Sequence, residues 1–399
     1  MQPLQGIRIL DLGRALAGPM CSMLLADLGA EVIKIEPPGL GDDSREWPPL
    51  QQGESCYFVS FNRNKRSVVL DLATEEGKAV FLRMAQTADV VIENYRHGVM
   101  ERLGLGHELL RALNPKLVYC SITGFGRTGP RRDAPATDIY MQAFAGLMGI
   151  TGEPGGSPMR IGVSICDLTT GVFAAYGVLA ALQARAQSGH GQLVDTSLLE
   201  GQMAYLSYLI TSFYSTGKVP GPQGAGHPSI VPYQAFQTRD GWVALASFND
   251  RLWQRAAAGL GLPELALDPR FDTNPRRLER KAELTAILAE RFATKTTDEW
   301  VAIMEQRDVP LAPVNTIDRL VADPQVEARE MVQTIDHPTA GPIKVFGFPV
   351  KFSDTPCELR LPPPTLGQHT GEVLREYGYT DSEIDHLVAR HAIAIPARG

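Results

Sequence analysis

The feature that most constrains the fold is a regular alternation of strand and helix patterns over roughly the first 125 residues. Short apolar runs predict strands at residues 7–12, 31–36, 67–72, 89–93 and 117–122. Amphipathic segments between these runs predict helices that connect one strand to the next. Strands connected in this way lie parallel, so the sequence predicts an α/β fold built on a parallel sheet.

The chain changes character after residue 212. The segment 217–226 (GKVPGPQGAG) contains four glycines and two prolines, which is typical of a loop or linker. The sequence therefore predicts a first region at residues 1–212, a glycine-rich linker at 213–228 and a smaller region at 229–325. From residue 326 to residue 399 the pattern becomes strand-rich again and ends with helices.

Composition excludes several classes of protein. Of the 399 residues, 44% are hydrophobic and 21% are charged, as in an ordinary soluble globular protein. The net charge of −7 argues against a nucleic-acid partner. The five cysteines form no CxxC pair, which favours free thiols and predicts no metal site. With no signal peptide or membrane span recognised, we expect a cytoplasmic protein without a membrane partner.

Familiar nucleotide and metal motifs are missing from the sequence. No G-x-G-x-x-G follows the first strand, and no Walker loop, HExxH or GxSxG occurs. A charged run at 62–66 (NRNKR) could cradle phosphates or form a solvated turn. Asn94 and Tyr95 follow the strand at 89–93, where ligands gather in open α/β sheets, but Asn94 could equally cap a helix.

Asp167 lies where a strand-like apolar run meets a long apolar helix. A carboxylate in this setting can attack a thioester carbonyl, or it can simply cap the helix that starts at Leu168. The loop at 221–226 can likewise be a mobile lid or a plain linker. His227 can act as a base or as a hydrogen-bonding surface group. The residues alone leave each pair of alternatives open.

A series of ordered motifs covers nearly the whole chain and resembles the family III CoA-transferases. The motifs are LQGIRILDLGRALAGP (4–19), LGAEVIKIEPPG (28–39), NRNKRSVVLDL (62–72), VIENYRHG (91–98), SITGFGRTGP (121–130), GVSICDLTTG (162–171), SGHGQLVDTSL (188–198), HPSIVPYQAF (227–236), HPTAGPIKVFGFPVKFS (337–353) and PPPTLGQHT (362–370).

The resemblance implies an architecture and an activity. Residues 1–212 and 326–399 would together form a large α/β domain with a Rossmann-like parallel sheet, and 229–325 a small α+β domain, in an intertwined homodimer. The enzyme would move CoA from an acyl-CoA such as succinyl-CoA to a carboxylic acid, plausibly a dicarboxylic one. A coenzyme A thioester would be the substrate, with no permanently bound cofactor and no metal.

The resemblance also implies roles for particular residues. Asp167 would be the nucleophile, Asp138 would support it, and Gly224 and Gly226 would donate N–H groups to an oxyanion. The positions that match CoA contacts in relatives are Leu16, Ala17, Leu70, Asn94, Tyr95, Val99 and Arg102, with Lys65 a further candidate. The substrate-binding candidates are His227, Arg131 and Arg132.

Two departures from the family pattern affect basic positions, because relatives carry basic residues where this chain has Pro37 and Pro135. Arg131 or Arg132 would have to compensate. A racemase acting on α-methylacyl-CoA shares the implied fold, but racemases place a histidine where this chain has Thr137, which argues against that reaction. An acyl-CoA hydrolase and a non-catalytic CoA-binding protein remain alternatives at this point.

Overall fold

The computed structural model describes residues 1–396, which fold into two compact units. The first unit comprises Met1–Leu147, Ile161–Thr216 and the described residues from Gln325 onward. The second unit comprises Met148–Arg160 and Gly217–Pro324. Strands and helices are mixed throughout the first unit, so the predicted α/β class is confirmed.

Most strands of the chain are short. They are β1 (Arg8–Asp11), β2 (Glu31–Glu36), β3 (Leu50–Gln51), β4 (Glu54–Ser55), β5 (Lys65–Leu70), β6 (Val90–Glu93), β7 (Val118–Thr123), β8 (Leu193–Ser197), β9 (Tyr233–Gln237), β10 (Trp242–Ala246), β11 (Leu311–Pro313), β12 (Val332–His337), β13 (Gly341–Phe346) and β14 (Ile393–Ala394).

The α-helices vary much more in length. They are α1 (Ala17–Asp27), α2 (Cys56–Phe61), α3 (Glu75–Ala85), α4 (Val99–Arg102), α5 (His107–Leu113), α6 (Asp138–Phe144), α7 (Leu147–Ile150), α8 (Ile165–Ser188), α9 (Leu198–Thr216), α10 (Asp250–Gly259), α11 (Asn274–Glu279), α12 (Lys281–Phe292), α13 (Thr297–Glu305), α14 (Ile317–Val321), α15 (Pro324–Ala328), α16 (Thr370–Glu376) and α17 (Asp381–Ala389).

The largest sheet belongs to the first unit and has the strand order β14-β5-β2-β1-β6-β7-β8. All neighbouring strands are parallel except β14, which pairs antiparallel with β5. The chain builds outward from β1 to β2 and β5, then returns to add β6 on the other side of β1. Ligands in open α/β sheets bind where the strand order reverses, so the carboxyl ends of β1 and β6 mark a candidate binding crevice.

The charged run at 62–66 is a buried clasp, and both interpretations offered for it are wrong at residues 62–65. The Arg63 guanidinium is fully buried, pairs with Asp27 at 2.7 Å and donates to the carbonyl oxygen of Phe346. The Asn64 side chain donates to the Glu358 carbonyl at 2.9 Å and accepts the N–H of Arg360 at 2.7 Å. These polar groups therefore attach the carboxyl-terminal segment to the start of β5.

Helix α8 is long and apolar enough, by length and composition, to cross a membrane, and 44% of its most apolar window is buried. It packs against α1 and α9 and against strands β7 and β8. A β-carbon at Gly171 would stand 2.8 Å from the carbonyl oxygen of Ala17 and 2.8 Å from the Met20 side chain. Glycine at this position therefore lets α8 approach the backbone of α1.

The second unit has its own core. Its sheet has the antiparallel order β11-β10-β9, and its helices bury Trp253 and Trp300 completely. Phe292 stacks on Phe236 with ring centroids 4.8 Å apart. The buried Arg277 donates to backbone carbonyls and pairs with Asp250 at 2.7 Å, so its charge is compensated.

Candidate active site

Asp167 lies in the first turn of α8. The helix begins at Ile165, with Ser164 as the N-cap, so the alternative that Asp167 caps the helix is wrong. The Asp167 side chain is half-buried, and within residues 1–396 no hydrogen bond to its carboxylate is found. The carboxylate is thus not committed to a structural partner.

The cap of α8 comes instead from Asp138, on another helix. Ser164 makes no side-chain cap, and Asp138 Oδ1 accepts the backbone N–H of Cys166 at 2.8 Å. Asp138 is the first residue of α6, which has Thr137 as its N-cap, so Asp138 does not cap its own helix. The carboxylate therefore satisfies one of the free N–H groups at the start of α8.

Burial raises the pKa of Asp167 to about 7, and the negative charge of Asp138 adds to this effect. The neighbouring thiol is no competitor for a nucleophilic role. Cys166 is fully buried, and burial together with Asp138 raises the pKa of its thiol. Asp167 consequently changes its charge close to neutral pH, which is characteristic of catalytic carboxyls.

A buried amide holds Asp138 in place. Gln142, four residues along α6, is 0% exposed and donates from Nε2 to Asp138 Oδ2 at 2.6 Å. The same nitrogen reaches the Val163 carbonyl at 3.3 Å, while Oε1 accepts the Ile161 N–H at 2.8 Å. The sequence prediction missed Gln142, although its i,i+4 spacing from Asp138 placed both on one helix face.

In the loop after β1, side chains bond the backbone N–H and carbonyl groups of Gly13 and Arg14. Asp11 accepts the Gly13 N–H at 2.8 Å, and Lys34 donates to the Gly13 carbonyl at 2.7 Å. Asn94 accepts the Arg14 N–H at 2.8 Å and donates to the Arg14 carbonyl at 2.9 Å. These contacts tie the ends of β1 and β6 together at the predicted crevice.

Ala15, the next residue of this loop, is held by a different side chain. Ala15 has φ = 61°, a left-handed conformation that is unfavourable for residues with a β-carbon. The buried carboxylate of Asp42 accepts the Ala15 N–H at 3.0 Å and pairs with Lys34 at 2.9 Å. Asp42 and Lys34 were also missed, because their partners lie far away in the sequence.

The predicted CoA contacts Leu16 and Ala17 are buried at the junction of this loop with α1. Gly171, which contacts Ala17, lies one helical turn after Asp167 and therefore on the same face of α8. The face of α8 that carries Asp167 is thus the face that packs on α1. Within the first unit, Asn94 contacts the loop, the loop leads into α1, and α1 packs on α8, which carries Asp167 and contacts Asp138.

The other predicted CoA contacts differ in their exposure. Arg102 is exposed on α4 and forms no ion pair in the part of the chain that the structure describes, while Tyr95 and Val99 are half-buried. Leu70 is buried in the sheet beside β14. The Lys65 ammonium is fully buried between Asp11, Asn62 and the Pro19 carbonyl, so the predicted phosphate contact is not supported.

Arg131 and Arg132 are exposed on the loop before α6. The Arg131 guanidinium stands 4.9 Å above the ring of Phe144, and Arg132 pairs with Asp133 at 3.4 Å. Exposed pairs of this kind are weak, so both arginines stay available to an anion. Their role as substrate contacts stays a prediction.

The remaining candidates lie in the second unit. Gly224 donates its N–H to the Gly152 carbonyl at 2.8 Å, and Gly226 donates to the Gln223 carbonyl at 3.0 Å. Since both N–H groups are engaged, an oxyanion role would require these bonds to be exchanged. His227 Nδ1 accepts the Ser229 N–H at 3.1 Å. Within residues 1–396, no group of three or more His, Cys, Asp or Glu side chains could hold a metal ion.

Comparison with known proteins identifies the family of this chain and several of its relatives. The profile of "CoA-transferase family III" matches residues 4–370. An "Acyl-CoA transferase" of Fusarium pseudograminearum is 44% identical over 94% of this chain and 85% of its own. The "Succinyl-CoA:glutarate CoA-transferase" of Mus musculus is 40% identical over 98% of this chain and 91% of its own.

A solved structure agrees with these relatives. The "CAIB/BAIF family protein from Brucella suis" superposes with a TM-score of 0.86 at 39% identity, covering 94% of this chain and 99% of the other. The family match and these relatives show that the chain is an enzyme of the transferase class. The chain belongs to the family III CoA-transferases.

Proposed function

We propose that this enzyme transfers CoA from succinyl-CoA to a dicarboxylic acid such as glutarate through a covalent intermediate on Asp167. The observation that carries the proposal is the Asp167 carboxylate itself. It is half-buried and free of hydrogen bonds in the described residues, and its pKa is raised to about 7. A desolvated carboxylate is a stronger nucleophile than a hydrated one, since water no longer stabilises its charge.

The proposed first half-reaction loads CoA onto the enzyme. An Asp167 oxygen attacks the thioester carbonyl of succinyl-CoA, the C–S bond breaks, and CoA thiolate leaves behind a mixed anhydride. The thiolate then attacks the side-chain carbonyl of Asp167. The anhydride C–O bond breaks, releasing succinate and leaving an aspartyl-CoA thioester. Each step exchanges one acyl derivative for another, so no external oxidant or base is required.

The second half-reaction runs the same exchange with the acceptor. A carboxylate of the acceptor attacks the aspartyl-CoA carbonyl, releasing CoA thiolate and forming a new mixed anhydride. The thiolate attacks the acceptor's carbonyl, which yields the new acyl-CoA and restores the Asp167 carboxylate. Water must be excluded, because it would hydrolyse either intermediate.

The choice of substrates rests on the mouse relative, whose name includes both succinyl-CoA and glutarate. Donor and acceptor each carry a second carboxylate, so we expect a cation near the part of the site that binds the acyl group. Arg131 and Arg132 are the exposed cations on the loop that leads into α6, the helix of Asp138. We assign the distal carboxylate to them, and Arg102 to the CoA phosphates.

We also propose that the enzyme works as a homodimer. Helices α8 and α9 carry large exposed apolar side chains, among them Tyr176 (70% exposed), Tyr208 (62%) and Tyr214 (82%). Exposed apolar surface of this extent is typical of a surface that another protein covers. A second copy of the chain is the expected partner from the family resemblance, and light scattering that gives a monomer mass would contradict it.

The decisive experiment is to trap the intermediate. The enzyme is incubated with succinyl-CoA and quenched with hydroxylamine, which converts an aspartyl anhydride or thioester to a hydroxamate. We expect the mass change on the peptide that contains Asp167 and an unmodified peptide in Asp167→Asn. Turnover without any such adduct would refute the covalent route.

Product balance tests the reaction class. With succinyl-CoA and glutarate we expect glutaryl-CoA and succinate in equal amounts, with little free CoA. A hydrolase would instead accumulate free CoA with or without the acceptor. Transfer to monocarboxylic acids alone would contradict the proposed acceptor class while leaving CoA transfer intact.

A further inference from the structure

The Gln142 side chain joins two segments of the first unit, α6 and residues 161–163. On α6 it bonds Asp138, through Oε1 it bonds the Ile161 N–H, and through Nε2 it reaches the Val163 carbonyl. The backbone at 161–163 leads directly into α8. Asp138 in turn bonds the Cys166 N–H in the first turn of that helix. The amide is therefore linked by one or two hydrogen bonds to the backbone on both sides of Ser164, just before Asp167.

Loss of this amide would remove three hydrogen bonds that lie at a part-buried position. Gln142 is 0% exposed, so water has no direct access to take its place. An apolar side chain of similar size would remove the Nε2 donor to Asp138 Oδ2 and the Oε1 acceptor of the Ile161 N–H. Lost hydrogen bonds at a poorly hydrated position are costly, so we expect the Asp138 carboxylate and the 161–163 backbone to move toward other partners.

We propose that Gln142 is a positioning residue for CoA transfer: it fixes the Asp138 carboxylate and the backbone that precedes α8, and thereby sets where the Asp167 carboxylate is held. This inference rests on the proposed role of Asp167. Gln142 itself touches no reacting atom. A displacement of about 1 Å at a reacting group lowers a rate on the order of 10²-fold, so the effect appears in kcat.

The first test compares Gln142→Leu with Gln187→Glu and the unchanged enzyme. Gln187 is exposed near the other end of α8, about 30 Å from Asp167 along the helix. We expect Gln142→Leu to lower kcat by about tenfold to a hundredfold, with the KM for acyl-CoA within about twofold. A kcat within about twofold of the unchanged enzyme would overturn the proposal.

The second test uses Gln142→Glu, which keeps the acceptor for the Ile161 N–H. A carboxyl group at this position can bond Asp138 only while it is protonated, because two carboxylates at hydrogen-bond distance share one proton. At each pH we divide the kcat of Gln142→Glu by the kcat of Gln187→Glu. We expect this ratio to fall as pH rises and to recover on acidification. A ratio that stays constant with pH would overturn the proposal, whatever the folding of the leucine variant.

Hydrogen exchange separates this inference from the proposed function. The Ile161 amide should exchange faster in Gln142→Leu than in the unchanged enzyme, since its acceptor is removed. It should stay protected in Gln142→Glu. If the unchanged enzyme transfers no CoA, the proposed function fails, while amide exchange still reports on the bond. Unchanged Ile161 exchange in Gln142→Leu, or faster exchange with normal kcat, would overturn the positioning role alone.

Discussion

At the scale of single residues, the molecule places two carboxyl groups side by side and gives them different partners. Asp138 accepts hydrogen bonds from the Gln142 amide and from the Cys166 N–H at the start of α8. Asp167 has no such bonds in the described residues, and its burial disfavours the charged form. One carboxylate is thus held by two hydrogen bonds, and the other has none within residues 1–396.

Replacing Asp167 by asparagine should separate activity from stability. We expect kcat to fall on the order of 10⁴-fold or more, since the nucleophile is removed. Because burial raises the pKa of Asp167 in the folded state, the carboxyl reduces stability as pH rises from about 4 to about 7. Thermal unfolding at about pH 8 should show Asp167→Asn more stable, by an amount on the order of 3 kcal/mol or less.

The same comparison at about pH 4 supplies the control, because the carboxyl is then largely protonated in the folded state and the two proteins should unfold alike. A variant that is less stable than the unchanged enzyme at the higher pH would show that the Asp167 carboxylate is not strained by burial.

Removing the neighbouring charge should move the pH profile. In Asp138→Asn the negative charge beside Asp167 is gone, so the pKa of Asp167 should fall and the acid limb of kcat should move to lower pH. Asp354→Asn removes the same charge at an exposed position and is the matched control. The pH at half-maximal kcat is the measurement, and a shift to higher pH would contradict the electrostatic argument.

Sequence reasoning singled out two carboxyl groups at this scale, whose chemical roles stay predictions, and it missed the residues that hold them. Asp167 and Asp138 were identified because motifs of the family carry them. The alternative helix-cap interpretations failed because a propensity for caps does not say which helix is capped. Gln142 and Asp42 were missed since their roles depend on partners that only the folded chain brings near.

At the scale of elements, buried charged side chains hold the loop after β1 in its conformation. Burial opposes the ionisation of Asp42, but Lys34 outweighs it, and the pKa of this carboxyl is held well below its usual range. The ion pair is therefore charged at neutral pH. Through Asp42 it supports Ala15 in its unfavourable conformation.

Loss of this support should weaken CoA binding more than chemistry. We expect Asp42→Asn to raise the KM for acyl-CoA by about tenfold with a smaller change in kcat, because Lys34 loses its charge partner and the loop relaxes. The free energy of unfolding should fall by about 3–5 kcal/mol, as for other broken buried pairs.

The adjacent Asp43 provides the matched control, since it pairs with Arg14 at the surface, where the side chains are 60% and 36% exposed. Asp43→Asn should change stability by less than about 1 kcal/mol. If Asp42→Asn and Asp43→Asn had equal KM values for acyl-CoA, the Asp42–Lys34 pair would not hold the loop after β1 in a conformation that binds CoA.

Element positions were predicted well where periodicity carries the signal. The strand predicted at residues 31–36 begins and ends where β2 does. The ends of β6 and β7 each differ from the predicted ends by at most one residue. The start of α8 was placed at Leu168 instead of Ile165, because Asp167 looked like a cap. Local sequence could not show that Asp138 serves as the cap from a distance.

At the scale of the whole molecule, residues far apart in sequence complete the first unit. The clasp of Arg63 and Asn64 attaches segments near residues 346 and 360, and β14 pairs with β5 at the edge of the sheet. The run at 62–66 could not be interpreted from sequence alone, because charged residues in a row usually mark solvent and their partners here are distant.

Breaking the clasp should release the carboxyl-terminal segment. In Arg63→Ala, Asp27 is left buried without its cation, so we expect the free energy of unfolding to fall by about 3–5 kcal/mol. Limited proteolysis should cut more readily between residues 346 and 361. Arg276→Ala removes an exposed pair with Asp272 and should cost less than about 1 kcal/mol. Similar losses in both variants would contradict this account.

The clasp has a consequence for how the protein is made. While the ribosome is still translating the middle of the chain, β5 has no β14 beside it, and Arg63 and Asn64 lack their carbonyl partners. The second unit ends at Pro324, so its core can form earlier on the nascent chain. A truncated translation product would therefore carry one finished unit beside an open sheet edge, which is the kind of edge that recruits other chains into aggregates.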